Sequence, residues 1–307
     1  MKPVHVALAV LVAAIWGLNF VIIEVGLDDF PPLLLSVLRY LAASTPLLVL
    51  GFRRPAPWRW IIAAGVTIGI VQFSLLFIGM DVGMPAGLAS VVLQAQAFFT
   101  VGFAAVLLGE RPRLAQGAGI VLALAGLVLI AGGLGGDATV TGFVLCIGAA
   151  AAWGIGNIFI RQAAPADPLR FMTWVCLVPP LPLLAVSLVF EGPREVGDAL
   201  AGIDLGGIGA VLYIAFLATT VGWALWGMLL REYAAGTVAP FSLLVPVFGL
   251  ASAALLLGEP LTVRKIVAAV LVMAGVLLTQ RGASRSVSAE DAGSSAPGPL
   301  RATVAAK

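Results

Sequence analysis

LLGERPRLAQGAGIVLALAGLVLI, residues 107–130, and LLGEPLTVRKIVAAVLVMAGVLLT, residues 256–279, decide how this chain is built. Each begins with the same four residues, turns at a glycine and an acid, and then runs apolar for the length of a bilayer-crossing helix. The two stretches stand 149 residues apart, and at that offset Gly126 matches Gly275 and Gly119 matches Ala268. A third match sits near the head of each half. AAIWGLNF (13–20) resembles AAAWGIGNIF (150–159) at an offset of 137, which puts a modest insertion between them, in the connection 191–205. The chain therefore reads as duplicated, with one half over 1–135 and a second over 136–281. Five spans in each half, an odd number, force the halves into opposite orientations across a membrane. Such inverted repeats build alternating-access transporters, with the site at the midplane between the halves.

Outward from these stretches, the pattern is the same. Of 307 residues, 61% are hydrophobic and 10% charged, with a mean hydropathy of +1.10. A soluble domain carries roughly 25% charged residues. Lipid offers the backbone no hydrogen-bond partners, so the spans are helices, and the period-2 alternation of a membrane barrel is absent. Ten all-α spans are expected, at about 5–25, 32–51, 60–80, 86–108, 114–132, 140–160, 170–190, 206–230, 237–257 and 263–280. The first follows Lys2 but is long, carries Trp16 and Asn19 and lacks a clear cleavage site, so it reads as a retained helix. The tail 282–307, rich in Ser, Ala, Gly and Pro, reads as disordered and cytoplasmic. With the N-terminus inside, 13 Lys and Arg fall on inner segments and 3 on outer ones. This bias sets both termini in the cytoplasm of a multi-pass inner-membrane protein.

Several function classes drop out. His5 is the only histidine, and Cys146 and Cys176 lie in apolar stretches as small core residues without metal spacing. A membrane enzyme would need a nucleophile or metal set at a membrane face, so neither a metal site nor an enzyme is expected, and no nucleotide-binding GxxxxGK[ST] occurs. The net charge of +2 gives no sign of a nucleic-acid partner. No cofactor is expected, and the partners are a small-molecule substrate and membrane lipid.

Polar side chains inside spans are costly and face a cavity or a neighbouring helix. Trp16 and Asn19, three apart, share a face of the first span; Trp153 and Asn157, four apart, share a face of the sixth. An amide both donates to a carboxylate and accepts from an ammonium, which suits a zwitterion. Gln72 lies in the third span. Gln94 and Gln96 lie in the fourth, about 200° apart on an α-helix, so at most one should face a cavity well. Tyr213, Thr220, Trp223 and Trp226 follow helical spacing in the eighth span and are expected to line the cavity, with an interfacial aromatic belt as the alternative for Trp223 or Trp226. Arg39, about 12 Å along the second span, either holds a substrate carboxylate, forms a structural pair with Glu24 or snorkels toward the membrane surface. Glu24 is the only candidate acid for proton coupling and lies at the periphery, so transport either runs down the substrate gradient or couples weakly to protons. Pro246 in the ninth span frees a carbonyl and serves as a hinge or a static kink. Gly119, Gly126, Ala268 and Gly275 give small faces for close packing within the chain. Glu110 and Glu259 are expected to cap the helices that follow them.

WGLNFVIIEVGL (16–27), the PP and LR of 31–39, MPAGLASVVLQAQAFFT (84–100), GNIF (156–159) and APFSLLVPVFGLASAALLLGE (239–259) resemble the EamA family of the drug/metabolite transporter superfamily, and within it the branch that exports O-acetylserine and cysteine. The resemblance covers about 5–281. It implies ten helices around a central cavity lined by the first four helices of each half, with the fifth and tenth peripheral. It also implies efflux of small amino acids and cysteine-pathway metabolites. Drug or other metabolite efflux on the same fold is the alternative. A drug or cation antiporter calls for a midplane acid, and a phosphate-ester carrier for a cluster of cavity Lys and Arg. A non-transporting scaffold would have no continuous cavity.

Overall fold

The computed structural model of the chain describes residues 1–135 and 138–294, the side chains of Ala235 and of 281–294 excepted. Among these residues ten helices are long and apolar enough to cross a membrane. They are Pro3–Asp29, Pro32–Leu50, Trp58–Asp81, Ala86–Leu108, Leu114–Ala131, Val140–Ala163, Pro168–Phe190, Leu205–Glu232, Gly236–Leu256 and Val263–Gln280, numbered here as spans 1 to 10. Large apolar side chains such as Val49, Leu114, Leu181, Phe190 and Leu255 stay exposed on the outside of the bundle, as lipid-facing surface requires.

Most spans around the centre depart from a regular α-helix. Span 2 breaks after Ser44, where Pro46 lacks an N–H and the hydroxyls of Ser44 and Thr45 bond back to the carbonyls of Leu41 and Ala42. Span 7 breaks between Val175 and Pro180, at Pro179–Pro180. Span 3 holds a π-helical stretch, Gly65–Gln72, and span 8 another, Tyr213–Val221. Span 4 tightens to a 3-10 turn at Leu93–Ala95, and span 9 does so at Ala239–Leu243. Such departures recur at functional sites because they re-aim side chains.

Spans 5 and 10 stay regular and pack on each other through the expected small faces. A Cβ on Gly119 would meet the Gly275 carbonyl oxygen at 2.5 Å, and one on Gly126 would meet that of Ala268 at 2.8 Å. Spans 1 and 9 also approach closely, since a Cβ on Gly17 would lie 2.5 Å from Phe248 Cβ. Spans 6 and 4 do the same, with a Cβ on Gly154 falling 2.6 Å from Phe99 Cβ.

Several expectations change here. Glu110 pairs with Arg161 of span 6 instead of capping span 5, whose start is closed by Gln116 accepting from the Arg113 amide. Glu259 does cap a helix, but its carboxylate accepts from the Gly87 amide of span 4 at 3.3 Å, while Thr262 accepts from Lys265 N at the head of span 10. The connection 191–205 is not plain loop, because Pro193–Ala201 forms a helix. Glu191 anchors it by accepting from the amides of Leu33 (2.6 Å) and Leu34 (3.2 Å) at the head of span 2. The last helix runs on from Val263 to Ser294, so residues 282–294 of the expected disordered tail are helical. Ala, Arg and Glu favour helix there, and proline first appears at Pro297. Residues 295–307 of that tail lie outside the described residues.

Candidate functional site

The irregular spans surround a cavity of about 250 Å³. Its lining comes from spans 1 to 4 and 6 to 9, and none of it from spans 5 and 10. Trp16, Asn19, Gln72, Gln94, Gln96, Trp153 and Asn157 all line it, together with Arg39.

Span 1 brings Trp16 and Asn19 on one face. The Trp16 indole donates to the Ala218 carbonyl at 2.9 Å and stands 5.7 Å and 5.3 Å, ring centre to ring centre, from Trp223 and Trp226. On span 6, Asn157 Nδ2 donates to Gln96 Oε1 at 2.8 Å and to Thr100 Oγ1 at 3.1 Å, tying it to span 4. Both glutamines of span 4 line the cavity, contrary to the expectation of one. The 3-10 turn at Leu93–Ala95 is the cause: at three residues per turn, positions two apart stand about 120° apart instead of 160°. Gln94 Nε2 donates to the Ser242 carbonyl at 3.4 Å. That carbonyl lies four residues before Pro246, which has no N–H to offer it, and it also accepts from the Leu244 amide. Pro246 itself is buried in the first turn of the helix Leu244–Leu256, outside the lining. Gln72 is buried, and neither of its amide atoms has a protein partner among the described residues.

Two expected lining residues lie elsewhere. Tyr213 donates its hydroxyl to the Ile15 carbonyl at 2.9 Å, and Thr220 Oγ1 bonds back to the Ala215 carbonyl at 3.1 Å. Thr219, one position earlier, takes the cavity place. Each π hydrogen bond skips one more residue than an α bond, so the helix phase slips across Tyr213–Val221. Sequence reasoning also missed Tyr40 and Phe73, which line the cavity, while Cys176 is the buried core residue expected and also borders it. Tyr40 directly follows Arg39, and that adjacency was the available signal.

The expected Arg39–Glu24 pair does not form. Glu24 is five residues past Asn19, about 140° around span 1 from the cavity face, and its charged neighbours are Glu259, Asp28 and Asp81. The Arg39 guanidinium lies 3.7 Å from the Phe73 ring centre and 4.5 Å from that of Tyr40. Its Nη2 donates to Thr219 Oγ1 at 3.2 Å, while Nε and Nη1 are buried with no protein partner among the described residues. Among the lining residues Arg39 is the only Asp, Glu, Lys, Arg or His. No group of three or more His, Cys, Asp or Glu able to hold a metal occurs among the described residues.

The EamA-like transporter family matches residues 4–132 and 140–281. The chain belongs to the EamA-like transporter family. Its EamA-like sequence is 46% identical over 281 residues to a "Probable amino-acid metabolite efflux pump" of Salmonella typhimurium, covering 90% of this chain and 94% of that protein. A protein of the same description from Escherichia coli is 45% identical over 282 residues, with the same coverage of 90% and 94%. A "Probable terminal-alkyne amino-acid exporter" of Streptantibioticus cattleyicolor is 28% identical, over 89% of this chain and 92% of that one. A solved crystal structure at 19% identity superposes with a TM-score of 0.63, covering 93% of this chain and 99% of the other, so the two share a fold. The EamA-like chain is thus a multi-pass membrane protein of a transporter family.

Proposed function

We propose that the chain exports small amino acids and cysteine-pathway metabolites, of which O-acetylserine and cysteine are the type, across the inner membrane by alternating access. The observation that carries this reading is the cavity of about 250 Å³, walled by eight spans and furnished with amides, tryptophans and one guanidinium. Pockets for drug-sized ligands run to roughly 300–1,000 Å³, so the volume favours a small solute over a bulky drug. The relatives described as amino-acid metabolite efflux pumps support both the substrate class and the outward direction.

Alternating access rests on an inverted duplication, with halves 1–135 and 136–281, and several features support it. The family matches in two stretches. The breaks of spans 2 and 7, the π stretches of 3 and 8 and the 3-10 turns of 4 and 9 fall in corresponding spans of each half. The close approaches pair as well: the offsets of 137 and 149 that relate the halves turn the Gly17–Phe248 contact into Gly154–Phe99. Both termini are cytoplasmic in this reading. The site is Trp16, Asn19, Gln72, Gln94, Gln96, Trp153 and Asn157, with Arg39 beside them. Glu24 stands off the cavity, so the substrate's own gradient drives transport. A substrate-driven pH change abolished by Glu24→Gln would overturn that last point.

Purified protein in liposomes should show saturable flux of radiolabelled cysteine and O-acetylserine, reduced by Asn157→Ala. Saturable flux untouched by that substitution would discard the site and keep the function. No flux, with binding of a bulky organic cation, would favour drug efflux.

A further inference from the structure

We infer that the cavity is divided into a carboxylate pole at Arg39 and an ammonium pole at Trp16, so that its substrate class is the zwitterionic α-amino carboxylates with small side chains. This rests on the exporter reading and names what that site recognises. Arg39 is 3% exposed, yet no carboxylate of the protein neutralises it among the described residues. A buried charge is stable only when paired or solvated. Its Nη2 is held by Thr219, and its face is fixed over Phe73, which leaves Nε and Nη1 without protein partners. Nε–H and Nη1 point to different edges of the planar guanidinium, so on each edge a donor without a protein partner remains for a carboxylate oxygen.

The second pole has the opposite chemistry. Trp16, Trp223 and Trp226 present clustered indoles to the cavity, and a ligand ammonium is drawn to such faces. Asn19 Oδ1 is a buried acceptor without a protein donor among the described residues, and Gln72 offers both an acceptor and a donor. The poles are anchored to consecutive residues of one π stretch, Trp16 to the Ala218 carbonyl and Arg39 to the Thr219 hydroxyl. That places them at neighbouring positions along span 8, as two charges carried on a single carbon require. A cation without a carboxylate would leave Arg39 unpaired, and an acid without an amine would leave the Asn19 acceptor unused.

The test separates binding from transport. Binding is read by the tryptophan fluorescence of the purified full-length protein, with cysteine, cysteinamide (carboxylate removed) and 3-mercaptopropionate (amine removed) as probes. Cysteine should bind about tenfold or more tighter than cysteinamide, the worth of a charge-assisted hydrogen bond. Arg39→Gln should level that difference to within about twofold, and Arg39→Lys, which keeps the charge, should retain part of it. Equal binding of cysteine and cysteinamide by the wild-type protein would overturn the inference, with no need for a folded variant. So would a preference that survives Arg39→Gln. Carboxylate-selective binding without flux in liposomes would keep the poles and remove the exporter. Flux without carboxylate selectivity would do the reverse, and absence of binding by all three probes would remove both.

Discussion

Trp16 shows how much one side chain does in this bundle. Its indole N–H closes onto Ala218 while its ring packs on Trp223 and Trp226, and Gly222 leaves the room: a Cβ there would lie 2.6 Å from Trp16 Nε1. Trp16→Phe should keep most of the packing and lose the hydrogen bond, costing about 1 kcal/mol. A thermal-shift measurement in detergent should show a small drop, and substrate binding should weaken by more than that drop alone explains. Asn157→Ala should also cost little stability, about 0.6 kcal/mol by the average for inter-helix bonds in membranes. It should cut flux sharply, because it unties Gln96 inside the cavity. These residues were legible in the sequence because an amide or indole in an apolar span is expensive and must be used. Thr219 was not. It differs from Thr220 only in helical phase, and no residue type announces the π stretch that sets the phase. The Arg39–Glu24 pair misled for a related reason: both charges are visible in the sequence, but the 140° turn between Glu24 and the cavity face separates them.

The spans themselves could be read to within a few residues, since bilayer thickness fixes their length and the apolar runs are long. Their internal irregularities could be located only at proline. Pro246 is the clearest case, because it offers no N–H to the Ser242 carbonyl, which accepts instead from the Leu244 amide and from Gln94 reaching across from span 4. Restoring the N–H with Pro246→Ala should let span 9 claim that carbonyl for itself and release Gln94. A double-mutant cycle with Gln94→Leu should therefore be non-additive by about 0.5–1 kcal/mol in stability, since each single change already breaks the shared contact. Additive effects would separate the proline from the glutamine. The 3-10 turn in span 4 carries no proline at Leu93–Ala95, which is why the joint exposure of Gln94 and Gln96 was missed.

At the scale of the molecule, the ten spans followed from the length of the apolar runs, and the small faces of spans 5 and 10 do meet as expected. Gly119 has no space for a larger side chain, so Gly119→Leu should force the two spans apart. Overpacking of this kind costs about 1–3 kcal/mol, and the variant should lose its monodisperse peak in size-exclusion chromatography. Gly117, two residues away, has nothing within 4 Å of a built Cβ, so Gly117→Ala should be neutral or slightly stabilising in the same assay. What composition did not reveal was how the acids at the span ends are used. Glu110 and Glu259 share a motif, yet one meets an arginine and the other a backbone amide, because their neighbours differ.

The close approaches of span 5 to span 10, span 1 to span 9 and span 4 to span 6 all join residues from opposite sides of the segment 132–139. The stretches before and after it are interlaced, so the covalent link between them holds little that the interlacing does not. A chain cut within that segment and produced from two separate messages should therefore reassemble in the membrane and recover transport, with the fragments co-purifying through a tag on either one. If so, a single gene encoding both halves is a convenience of expression, and the working unit is a pair.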